Sequence, residues 1–151
     1  MYQEYPKDLV VGTTLGAVKV AITDGRHAYV ESNEVLMVSG KPIRVSMHIF
    51  LKDGQWTDKN ENGRSTIYAK KPYVMGLNDE ATATQKEKII AAVVPSVGKF
   101  INANEHLLRL AQEAHVANRV ETIQGHIDEK RKEIAAMEKE IADLKATLPL
   151  D

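Results

Sequence analysis

The sequence predicts an α+β protein: a small antiparallel β-sheet of about five strands, covered by a kinked helix and followed by a long C-terminal coiled-coil helix. Three observations predict it. Turn dipeptides cut residues 1–76 into short β-rich runs. Residues 77–151 hold only Gly98 and Gly125 as glycines and only Pro95 and Pro149 as prolines. Within that second half an apolar heptad pattern continues from Val116 to Leu148.

The first half is punctuated by Asp24-Gly25, Ser39-Gly40, Asp53-Gly54 and Asn62-Gly63, dipeptides suited to tight reversals. The clearest strand between them is KPIRVSMHIFLKDG. Ile43, Val45, Met47, Ile49 and Leu51 alternate there with Arg44, Ser46, His48 and Phe50, which puts the apolar set on one face. VKVAI (18–22) alternates in the same way, and HAYVES (27–32), EVLMV (34–38) and STIYA (65–69) read as further strands. The sheet is thus expected over residues 8–73, with one greasy face.

The covering helix is expected over residues 79–102, completing a domain of residues 1–103. Asn78 can cap it, Asp79 and Glu80 suit its positive N-terminal end, and Thr84 with Glu87 reads as a capping box. Ile89, Ile90, Val93, Val94, Val97, Phe100 and Ile101 recur at helical spacing and can cover the sheet. Pro95 lacks an N–H and crowds the carbonyl of Ala91, so a kink is expected there. Asn104 can cap a second helix over residues 104–148, about 67 Å long at 1.5 Å per residue.

That helix carries a seam over residues 116–148. Val120, Ile127, Ile134, Ile141 and Leu148 occupy the a positions; Val116, Ile123, Lys130, Met137 and Leu144 occupy d. Nine of the ten are apolar, sustained over more than four heptads, which predicts a coiled coil and a homo-oligomer, a dimer above all. β-Branched residues at a favour a parallel pair, whereas the flanking charges leave the orientation open. The competing reading is an antiparallel hairpin broken at Gly125; the heptad phase, however, runs through Gly125 without a slip.

Composition narrows the function. The chain has no cysteine, which excludes disulfides, thiolate metal sites and cysteine nucleophiles. A formal net charge of −1 offers no electrostatic footprint for nucleic acid or an anionic membrane. MYQEYPKD does not read as a signal peptide, and no apolar run reaches bilayer length, so a cytoplasmic protein is expected. None of the five histidines forms an i, i+4 pair, and no phosphate loop or nucleophile elbow appears. No catalytic residue, metal ligand or cofactor is assigned, and the protein is read as no enzyme. Arg44, His48 and Phe50 share the outward face of the best strand, and Trp56 follows its turn; together they form the candidate surface for a protein partner.

TDGRHAYVES, then IRVSMHIFLKDGQW, then QKEKIIAAVVPSVGKF, then a charged terminal helix, is an arrangement that resembles a family of small uncharacterised proteins from bacteriophages of actinobacteria. The resemblance spans residues 15 to the end, although the Lys- and Ile-rich tail departs from the Ala/Arg/Glu-rich tails of that group. It implies a phage accessory protein acting in a bacterial host cytoplasm, with a host protein as its target. The expected function is a non-enzymatic interaction protein, made bivalent by its coil. The alternatives are a sequestering protein for a nucleotide signal, using Arg26, Arg44, Lys70 and Lys71, and a virion assembly component.

Overall fold

A computed structural model describes residues 3–72 and 80–149. It is α+β: one antiparallel sheet of seven strands packed against two helices, the second of 42 residues. The strands are β1 (Leu9–Thr13), β2 (Gly16–Asp24), β3 (His27–Ser32), β4 (Leu36–Val38), β5 (Lys41–Lys52), β6 (Gln55–Thr57) and β7 (Tyr68–Lys70). Their order is β1-β2-β3-β5-β4, with β6 and β7 also paired to β5. Two strands exceed the number expected. β1 contains Gly12 and runs into a turn at Thr14-Leu15, so its sequence reads as loop; β6 is too short to alternate.

The turns follow residue chemistry. Ser39 and Gly40 both take positive φ (51° and 79°) between β4 and β5, as do Asp53 and Gly54 (50° and 77°) between β5 and β6. Two consecutive left-handed residues make the turn whose twist matches a hairpin, and Gly at the second place carries no Cβ strain. At the β2–β3 turn the Asp24 carboxylate accepts from the Arg26 backbone N–H at 2.7 Å.

β5 alternates as its sequence requires. Ile43, Val45, Met47 and Ile49 are buried, and Val18, Val20, Ile22, Ala28 and Val30 join them on the same face. The helix α1 (Ala83–Asn102) covers that face with Ile89, Val93, Val97 and Ile101 and packs against β1, β4 and β6. α1 continues through Pro95 as a single helix.

Its start differs from expectation. Thr82 is the N-cap: its hydroxyl accepts from the Gln85 N–H at 3.2 Å, and the Gln85 side chain accepts from the Thr82 N–H at 2.9 Å. The capping box is therefore Thr82/Gln85 and not Thr84/Glu87, because the chain stays extended through Thr82 (ψ 163°). Asn78 and Asp79 lie outside the described residues. The second helix, α2 (Glu105–Ala146), starts after a tight connection at which the Asn104 side-chain amide turns back to donate to the Phe100 carbonyl at 2.8 Å.

The chain forms two compact units, dividing at His115/Val116 within α2 and not between the helices. Residues 4–115 make the sheet unit, in which Ala111 and Ala114 of α2 are buried. In the other unit, Asn118 accepts from the Gln3 N–H at 2.6 Å and donates to the Gln3 carbonyl at 2.8 Å. α2 runs unbroken through Gly125, so the expected alternative of a hairpin there is not formed.

Candidate functional site: the open sheet face and the seam of α2

The face of the sheet opposite α1 carries the polar and aromatic side chains of β3, β5 and β7. Register places His27 beside Phe50, Tyr29 beside His48 and Arg44 beside Lys70. His27 lies at the centre of a ring cluster. Its imidazole stacks on His48 (centroids 4.8 Å) and on Phe50 (5.1 Å), while Tyr29 tilts against His48 at 5.1 Å.

One hydrogen-bond chain runs through the cluster. His27 Nε2 lies 2.7 Å from His48 Nδ1, and His27 Nδ1 lies 2.7 Å from Thr23 Oγ1. Thr23 Oγ1 also donates to the His27 carbonyl at 3.1 Å. With its one proton spent there, the hydroxyl accepts from His27 Nδ1–H, which leaves Nε2 bare to accept from His48 Nδ1–H. Both rings are then neutral. Burial holds the His27 pKa below its ordinary value, and positive charge on His48 lowers it further, against a smaller upward pull from Asp24.

Of the residues expected on the partner-binding surface, Arg44, His48 and Phe50 share this face. Trp56 does not. It pairs with Leu51, on the helix-covered side, and its indole lies over Gly98 of α1; Nε1 donates to Asn102 Oδ1 at 3.3 Å. β6 folds back over a two-residue turn, and that register sends Trp56 to the opposite face from Phe50. His27 and Tyr29 take the place of Trp56 on the open face. Neither was singled out from sequence, since only the β3–β5 register brings them to His48.

The four cations expected to hold a nucleotide do not converge. Arg44, Lys70 and Lys71 line one shallow concavity with Tyr29 and Tyr68, where Glu31 and Glu34 oppose them. Arg26 lines a separate one with Asp24, Asp53 and Glu61. Among the described residues no His, Asp and Glu gather as a metal site, and no helix is long and apolar enough to cross a membrane.

The seam of α2 is a second feature, independent of the sheet. Val116, Val120, Ile123, Ile127, Ile134, Met137, Ile141, Leu144 and Leu148 are 39–66 % exposed. Lys130, between them, pairs with Glu133 one turn on, at 3.4 Å. Nearby, Gln124 donates to Asp128 at 3.2 Å. An α+β unit with an open aromatic face and a long helix with an uncovered apolar stripe is the class of protein that these features define. In comparisons with known proteins, the chain matches no family model, no curated protein and no solved structure.

Proposed function

We propose that this chain is a non-enzymatic interaction protein. It pairs through residues 116–148 and presents the open face of its sheet unit to a protein partner. The observation that carries this reading is the row of nine exposed apolar residues on one helix, broken only at Lys130. Isolated exposed apolar residues are ordinary on a protein surface, but a contiguous stripe at heptad spacing is the mark of a helix that buries itself against another.

The sheet face supplies the second half of the reading. His27, Tyr29, His48 and Phe50 are ring systems held rigidly by stacking, with Arg44 close by on the same strand. Rigid aromatics and arginine are the side chains that contribute most at protein interfaces. The resemblance to phage proteins directs the proposal to a host protein in the bacterial cytoplasm as the partner.

Light scattering after size exclusion, at two concentrations, tests the pairing. The expected mass is that of two chains of 16.8 kDa each. Replacing Ile127 and Ile134 together with Asp is expected to yield one-chain particles whose Trp56 emission is unchanged, since the sheet unit is built without them. A one-chain mass for the unaltered protein overturns the reading.

A further inference from the structure

The occupant of the seam is a second copy of this chain, and we infer that it lies antiparallel, in full overlap over residues 116–148. This inference rests on the pairing reading above and adds its geometry. The decisive residue is Lys130, the one charged side chain at a core position. In a parallel, in-register pair each d residue faces its own copy, so Lys130 would meet Lys130 inside the seam, with Arg131 of the other helix flanking it. Two ammonium groups set against each other inside the seam are unfavourable, each offset only by the Glu133 of its own helix, 3.4 Å away.

Antiparallel packing sets a against d. Full overlap then pairs Val120 with Leu144, Ile127 with Met137, Ile123 with Ile141 and Val116 with Leu148, each layer occurring twice. Every one of these layers is apolar. Lys130 falls opposite Ile134, whose side chain covers the lysine stem, and its ammonium reaches Glu133 of the second copy. Glu133 already lies 3.4 Å from Lys130 of its own chain. Two lysines and two glutamates therefore alternate at the centre of the pair.

The flanking positions agree. An antiparallel pair sets His126 against Glu140 and Gln124 against Glu138, and keeps one like-charge contact besides the central glutamates, Arg131 with Arg131. A parallel pair sets Glu133 against Glu138 and His126 beside Arg131, relieved only by Glu140 with Lys145, each contact occurring twice. Pairs of this kind are worth little singly, so they reinforce the Lys130 argument without carrying it. The β-branched a positions do not oppose it. Their preference for parallel pairs goes with leucine at d, and Leu144 is the only leucine there.

The absence of cysteine makes the test clean. Ala146→Cys and Lys132→Cys both lie on the outer side of α2, away from the seam, and each takes one nitroxide label in the full-length chain. Pulsed dipolar spectroscopy then reads the label–label distance within the pair. In the antiparallel pair the two Lys132 sites are level, about 20 Å apart across two helix diameters, whereas the two Ala146 sites are offset by 28 residues, about 42 Å along the axis at 1.5 Å per residue. The expected result is a short distance at 132 and a distance beyond about 40 Å at 146. Short distances at both sites mean a parallel pair and overturn the inference, with self-pairing intact. Long distances at both sites mean a slipped register and overturn the stated overlap. A one-chain or three-chain mass from light scattering on the same labelled samples removes the two-stranded pair itself.

Discussion

His27 and His48 together have room for one added proton. Their facing nitrogens are 2.7 Å apart, and in the neutral state His48 Nδ1–H points at the bare Nε2 of His27. One proton can be taken up by turning that bond around, so that His27 donates. A second would set N–H against N–H and break the contact.

The pH dependence follows in sign. The His27 pKa is lowered in the folded protein by burial and by His48, so the unfolded chain binds the proton more readily. The neutral ring contributes stability that is fully present above the ordinary value of 6.5, and that is lost as pH falls below it toward the folded value. Melting temperature is expected to fall as pH drops from 7.5 to 5, about these values for an ordinary histidine range. NMR titration should place His27 below 6.5, and His48→Ala should move it back up by removing both the neighbouring charge and part of the burial. An unshifted His27 would show that the ring cluster is open to water.

Trp56 is the only tryptophan, so its emission reports on the contact with α1. A Cβ placed on Gly98 would come within 3.1 Å of the indole Cδ1 and 3.3 Å of the Trp56 Cβ. Gly98→Leu is expected to push the indole outward, shift emission to the red and cost roughly 1–3 kcal/mol through overpacking. Gly98→Ala is milder, because a gain of about 1 kcal/mol in helix propensity offsets the tight approach. Unchanged emission in Gly98→Leu would place the ring elsewhere.

Lys130→Leu completes the apolar seam. It is expected to stabilise the pair by roughly 1.5–3 kcal/mol per buried leucine, seen as a higher melting temperature in circular dichroism followed at several concentrations. Lys130→Glu replaces both lysines with carboxylates beside the two Glu133 side chains and is expected to weaken the pair. Equal melting of both variants would remove Lys130 from the interface.

Which of these features can be read from sequence depends on how local their cause is. The alternation in β5 and the heptads of α2 are written in consecutive residues, and both appear in the structure as written. β1 was hidden because Val10 and Val11 are followed at once by Gly12 and a threonine-rich turn. The cap of α1 lies at Thr82 and not Thr84, a difference decided by how far the chain stays extended before it enters the helix. The His27–His48 pair lies 21 residues apart in sequence and exists only through strand register. The face of Trp56 likewise follows from the two-residue turn at Asp53-Gly54, which no periodicity records.

β5 pairs with four other strands: β3, β4, β6 and β7. Those partners come from both sides of it in the chain, from His27 to Lys70. Among the described residues, none of the four pairs with a further strand except β3, which also holds β2. The sheet unit therefore has a keystone rather than a ladder of equal rungs. The amides at the middle of β5 are expected to exchange with solvent only when the whole unit opens. A fold centred on one strand has little means of partial unfolding: damage to β5 is damage to the whole sheet, and the open face with its ring cluster persists or disappears as a single object.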